Sequence, residues 1–272
     1  MSTFKERLPK HKKLFIPFIT AGDPTEEVTV ELAYSLQKVG ASVLELGVPY
    51  SDPLADGPVI QAASSRALKS GMTITKAIKL VSKMRKRGVE IPIILFTYFN
   101  PVLQLGYKNF FALMRQNQVD GFLLPDLPYE ESEELRSLSK ENEVALISMV
   151  APTSKDRIQK IAASADGFLY CVSSLGVTGV RDKLPENVHE FLDEVQRYAM
   201  VPVAVGFGIS KADQVQLLID HSDGIVIGSA LVHKIGELED ALKGSKEEKR
   251  EALTTIENYI EEIISPISLC EV

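Results

Sequence analysis

Eight short apolar runs recur along the chain, beginning at Leu14 (LFIPFI), Val43 (VLEL), Ile93 (IILF), Gly121 (GFLL), Val144 (VALIS), Gly167 (GFLYCV), Pro202 (PVAV) and Gly224 (GIVIG). Each is four to six residues long and rich in Val, Ile, Leu or Phe. A strand covered on both faces reads this way, because neither side of its pleat meets water. Between the runs the apolar period changes. Val28, Leu32, Leu36 and Val39 share one helical face, as do Val188, Phe191, Leu192 and Val195. Ser210 with Asp213 reads as an N-cap opening the helix after the seventh strand.

Eight strands alternating with helices predict an α/β fold, a (β/α)8 TIM barrel, with residues 1–272 forming a single domain. The competitor is an open doubly wound sheet, which follows its first strand with a glycine-rich turn. Here that turn, in FITAGDP, has one glycine. The spacing is uneven: 50 residues separate Val43 from Ile93 and 35 separate Gly167 from Pro202, against 22–29 elsewhere. Enlarged loops are therefore expected after strands 2 and 6, over Gly47–Gly71 and Ser173–Asn187. Barrel enzymes keep their chemistry on that C-terminal face.

Composition narrows the setting. With 45% hydrophobic and 25% charged residues the chain is neither disordered nor fibrous. A formal charge of −7 argues against nucleic acid as a main partner. Cys171 and Cys270 cannot build a disulfide framework, which points to a reducing compartment. The start, MSTFKERLPKHKK, has no apolar h-region, and no apolar run approaches the roughly 18 residues of a membrane helix. A cytoplasmic protein with no membrane contact is expected. His11, His189, His221 and His233 lack ligand spacing, so no metal site is expected. Cys171, within an apolar strand, reads as a core residue rather than a nucleophile.

Candidate chemistry lies in VLELGVPYSDPLADGPVIQ, residues 43–61. If Leu44 and Leu46 face the helices, strand alternation turns Glu45 into the barrel. A carboxylate there is costly unless paired or used, and low dielectric raises its pKa toward neutrality. It suits proton transfer better than a structural ion pair. Asp56 follows in a loop restricted by Pro49, Pro53 and Pro58. Asp52 reads as a turn former, whereas composition leaves Asp56 open between turn and catalysis. Two carboxylates at one mouth would allow divided acid–base roles.

Three glycine turns follow strands six, seven and eight: GVTG at 176–179, GFG at 206–208 and GSA at 228–230. Glycines let backbone N–H groups approach an anion, and a helix N-terminus adds its dipole. Together they predict a phosphate site, with Gly228, Ser229 and Ala230 opening a short helix after strand eight. The polar stretch SSLGVTGVRDKLPEN reads as either a lid or a surface insertion.

The segment LELGVPYSDPLADGPVIQ, with FITAGDP before it and GVTG, GFGIS and GSALV after it, closely resembles the tryptophan synthase alpha chain family, from about Phe15 to Ile264. The resemblance implies a (β/α)8 barrel that cleaves indole-3-glycerol phosphate into indole and glyceraldehyde 3-phosphate by a retro-aldol reaction. It assigns Glu45 as the principal acid–base residue and Asp56 as the carboxylate beside the indole nitrogen. It places the phosphate on Gly179, Gly208, Gly228 and Ser229. Phe18, Tyr170 and Phe207 would line the indole side, with Thr178 closing the lid. Ser174 stands where some relatives carry a basic residue. The resemblance also implies an α2β2 complex with a beta chain that carries pyridoxal phosphate, while the alpha chain has no cofactor. Tyr50, Asp52, Pro53, Asn100 and Pro101 would face that partner. Alternatives are a stand-alone lyase, an alpha-like chain kept as a regulatory partner, and another phosphate-binding barrel.

Overall fold

A computed structural model describes residues 4–9, 12–172, 188–206 and 208–269. Each apolar run contains a strand: β1 (Leu14–Thr20), β2 (Leu44–Gly47), β3 (Ile93–Phe96), β4 (Gly121–Leu123), β5 (Ala145–Val150), β6 (Leu169–Val172), β7 (Val203–Gly206) and β8 (Gly224–Ile227). Neighbours in sequence pair in parallel, and β1 also pairs with β8, so the sheet closes into a barrel in chain order. The expected architecture is the observed one.

The helices are α1 (Phe4–Arg7), α2 (Glu26–Lys38), α3 (Pro58–Lys69), α4 (Ile74–Arg87), α5 (Phe99–Leu105), α6 (Tyr107–Gln116), α7 (Glu133–Glu141), α8 (Ile158–Ala163), α9 (Val188–Tyr198), α10 (Ala212–Ile219), α11 (Ser229–Glu237), α12 (Glu239–Lys243) and α13 (Lys246–Leu269). The long connection after β2 holds an additional helix, α3, ahead of α4. The loop expected after β6, Ser173–Asn187, lies outside the described residues. Among the described residues no helix is long and apolar enough to cross a membrane.

Alternation along the strands builds two apolar layers. Leu14, Ile16, Val43, Ile94, Leu123, Ala145, Ile147, Phe168, Ala204 and Val226 pack together inside the barrel. Phe15, Ile19, Leu44, Leu46, Leu95, Phe122, Leu146, Val203, Val205 and Ile225 pack outward under the helices. The helices meet them with the faces expected: Val28, Leu32 and Leu36 on α2, and Val188, Phe191, Leu192 and Val195 on α9, are all buried. Val39 is the C-cap of α2 rather than part of its body.

Two local readings are corrected. The helix α10 begins at Ala212 with Lys211 as its N-cap, one residue later than Ser210. Gln214 takes the capping work, its side-chain oxygen accepting from the backbone N–H of Ser210 at 2.8 Å and of Lys211 at 3.2 Å. The N-terminal segment, set outside the family resemblance on sequence, belongs to the fold. Phe4 on α1 stacks on Phe168 with ring centroids 6.4 Å apart, and with Leu8 it floors the barrel interior. Below β4 the Asp120 carboxylate joins this floor to α4, accepting from Arg7 and, at 2.6 Å, from Arg85.

Candidate active site

The short strand β2 delivers Glu45 to the barrel interior. Its neighbours Leu44 and Leu46 lie in the outer apolar layer, so Glu45 points the other way. In register it sits between Phe18 of β1 and Ile94 of β3. It is 1% exposed, and its Oε1 has no hydrogen-bond partner among the described residues. Burial alone acts on this carboxyl and pushes it from an ordinary 4.5 up to about 8. At neutral pH it therefore holds a proton that it can donate, and the resulting carboxylate can take one back.

Aromatic rings wall the space around it. The Phe18 ring meets Phe96 edge-on at 5.6 Å between centroids. It also lies across Gly47, where a Cβ would come 2.3 Å from Phe18 Cζ. Gly47→Ala should therefore displace this ring and lower stability by about 1–3 kcal/mol, read as the urea midpoint. An unchanged midpoint would show that the ring is free to move. Tyr170 on β6 packs against the inner layer. Burial raises its hydroxyl well above the ordinary tyrosine range, and the nearby Glu45 adds to the effect. Its hydroxyl oxygen lies 2.6 Å from where a Cβ on Gly206 would stand, so the first glycine of GFG makes room for this phenol.

Asp56 stands at the entry to α3 and is 8% exposed. The Tyr98 hydroxyl hydrogen-bonds its carboxylate and also accepts from the backbone N–H of Ala55 at 3.0 Å. Gln61, on the first turn of α3, donates to the Asp56 carbonyl at 2.8 Å. Burial raises the Asp56 carboxyl and the Tyr98 bond partly offsets this. Tyr98 and Phe96 were not singled out in the sequence. Their signal is the aromatic pair in FTYF at the end of the third apolar run, with Phe96 facing inward from β3 and Tyr98 just beyond it.

The glycine turn after β8 opens α11 at Ser229, with Gly228 as N-cap. Among the described residues no side-chain cap bond forms at this N-cap, and the first-turn N–H groups lie at the positive end of a nine-residue helix. Ser229 is buried beside them. Gly228 adjoins Phe18, whose Cβ lies 3.6 Å from the Cβ position of the glycine, so this helix end and the aromatic wall share one mouth. Gly208 has φ +67°, a left-handed backbone that favours glycine. Ser174, Thr178, Gly179 and Phe207 lie outside the described residues.

The loop after β2 adjoins the first turn of α5 at the rim, and Asn100 and Pro101 sit on this helix rather than in a loop after β3. Tyr50 stacks on Tyr98 at 5.0 Å, and its hydroxyl accepts from Asn100 at 3.2 Å. Asp52 is exposed and accepts from Ser51 within the turn, while Pro53 and Pro101 are half-buried. Beside them Leu54 and Leu103 are 77% and 46% exposed, two apolar side chains that no local pattern in the sequence marks. Cys171 is buried and its thiol is pushed far up by burial, as a core residue requires. His221 bonds Asp193 at 2.8 Å and stacks on His189 at 4.3 Å. No group of three metal-ligating side chains occurs among the described residues.

Comparison with known proteins adds a family to this geometry. The family model described as tryptophan synthase alpha chain matches residues 4–263, starting eleven residues before Phe15 and so taking in the floor helix. The chain is 61% identical over 256 residues to the tryptophan synthase alpha chain of a Geobacillus species, covering 94% of this chain and 97% of that one. It is 60% identical over 256 residues to the Bacillus subtilis protein of the same name, covering 94% and 96%. Among solved structures, the alpha subunit from Legionella pneumophila superposes with a TM-score of 0.86 at 34% identity, covering 99% of both chains. A chain of the tryptophan synthase a2b2 complex of Pyrococcus furiosus superposes with a TM-score of 0.83 at 36% identity, covering 94% and 99%. This chain belongs to the tryptophan synthase alpha chain family.

Proposed function

We propose that this chain is the alpha subunit of tryptophan synthase and cleaves indole-3-glycerol phosphate to indole and glyceraldehyde 3-phosphate. The observation that carries the reading is Glu45, a buried carboxyl whose Oε1 has no partner among the described residues, inside a barrel mouth shared with the helix N-terminus at Gly228. An indole carbon leaves poorly. Glu45 protonates C3 of the ring, which becomes an electron sink. Asp56 accepts a hydrogen bond from the ring N–H and stabilises the positive charge. The Glu45 carboxylate then takes the proton of the adjacent glycerol hydroxyl. As the aldehyde forms, the C–C bond breaks and its electron pair restores the indole ring, so atoms and charge balance.

The phosphate sits on Gly228, Ser229 and Gly208, with Gly179 from the loop after β6. Backbone N–H groups and the α11 dipole hold it in an otherwise acidic protein. Phe18, Tyr170 and Phe207 line the indole side, and Thr178 helps to close the loop over the carboxylates. The partner is a beta chain in an α2β2 assembly. It meets Tyr50, Asp52, Pro53, Asn100 and Pro101, next to the exposed Leu54 and Leu103. Pyridoxal phosphate belongs to that beta chain, with no cofactor expected in this one. The setting is cytoplasmic, and residues 1–272 act as one domain.

A product assay tests the reading: indole release from indole-3-glycerol phosphate, with and without a beta chain. Release that rises at least tenfold on adding the beta chain is the expected result. Equal release in both conditions would make this a stand-alone lyase, and none in either would overturn the activity.

A further inference from the structure

Arg66 lies near the end of α3, ten residues after Asp56, and touches three elements at once. Its Nε and Nη2 donate to the two oxygens of Asp23 at 2.7 and 2.9 Å, a planar fork. Asp23 stands in the turn after β1 and is 2% exposed. The same Nε lies 3.6 Å from Oε2 of Glu239, the first residue of α12. On α11, Gly236 leaves the guanidinium its space, since a Cβ there would come 3.3 Å from Nη2. A carboxylate as deep as Asp23 needs a partner, and a fork sets orientation as well as charge.

The far ends of these elements carry the site. The start of α3 is bonded to the Asp56 carbonyl through Gln61. The start of α11 is the turn at Gly228 and Ser229. Between them, on β1, the Phe18 ring reaches from Gly228 to Gly47. We infer that Arg66 is a positioning residue, whose fork to Asp23 and contact with Glu239 fix the separation between Asp56 and the N–H groups at Gly228–Ser229. Arg66 touches no reacting atom. The inference rests on the functional reading above, in which one substrate engages both places at once.

Such a residue has a distinctive signature. Each half of the site binds its own half of the substrate wherever the other half stands. Turnover requires both in register, and a shift of about 1 Å can cost as much as ~100-fold. Loss of the clamp therefore removes turnover and spares the binding of fragments.

Arg66→Lys keeps a positive charge opposite Asp23, and so the fold, while replacing the fork with a point donor. Its kcat for indole-3-glycerol phosphate is expected to fall about tenfold or more, while the Kd values of indole alone and of glycerol 3-phosphate alone stay within about twofold. Glu239→Gln, which loosens the contact with α12 and the Lys243 pair within it but leaves the fork to Asp23, should give a smaller loss of the same kind. A kcat for Arg66→Lys within about threefold of the parent overturns the clamp. So does a fall in both fragment affinities in step with kcat, which would make Arg66 a general support of the fold. A parent chain that releases no indole either alone or with a beta chain removes the functional reading and the clamp with it. A parent that turns over beside an equally active Arg66→Lys variant removes the clamp alone.

Discussion

Replacing Glu45 with Gln is expected to lower indole release by roughly 100- to 10,000-fold, the span that a general acid–base group supplies. The amide has nearly the same volume and no proton to exchange, so the fold should remain. A second effect separates this from a packing defect. The Glu45 carboxyl keeps its proton in the folded chain up to about 8, against an ordinary 4.5. Between those values the folded state binds more protons than the unfolded one, so stability falls as pH rises through the window. At full ionisation the interval corresponds to an upper bound of about 5 kcal/mol. Denaturant titrations at pH 5 and pH 9 should therefore show a larger loss in the parent than in Glu45→Gln, which keeps only the contributions of Asp23, Asp56, Asp120 and Asp126. Parallel pH profiles would mean that Glu45 is solvated, and near-normal turnover would remove it from the chemistry.

Asp56→Asn is expected to cost roughly 100- to 1,000-fold in kcat, comparable to deleting one preorganised electrostatic contact to a developing charge. The amide retains a partner for the Tyr98 hydroxyl, so the loop should stay in place. The loss should fall on kcat more than on KM, because the ring nitrogen becomes positive only as the reaction proceeds. Single-turnover indole release, with indole affinity measured beside it, checks this split. A rise in KM alone would make Asp56 a ground-state binding group, and an unchanged rate would return it to the role of turn former.

Much of this was legible in residue order because it depended on local period. Alternation in LELG was enough to turn Glu45 inward, and eight apolar runs with helical spacing were enough for a closed barrel. The GSA turn opened a helix as its glycine and serine implied. What stayed hidden depended on neighbours distant in sequence. The hold of Tyr98 on Asp56 spans 42 residues and requires β2 beside β3. The Arg66 fork to Asp23 spans 43 residues and requires α3 beside the turn after β1. The floor helix α1 is four residues long, too short for a period, and only its packing on Phe168 gives it meaning. The cap of α10 moved because a glutamine side chain reaches further back than the expected serine.

The pairing of β1 with β8 also governs how the chain is made. Leu14 hydrogen-bonds across to a strand that starts at Gly224, 210 residues later. At about 5–20 residues per second, a ribosome needs roughly 10–40 s to supply that partner. For that time one edge of the nascent sheet has nothing to pair with, and an open strand edge invites pairing with other chains. A closed barrel has no such edge once complete, but it is complete only when its last strand has been delivered. Premature termination anywhere before Gly224 should therefore yield sticky fragments rather than smaller folded proteins.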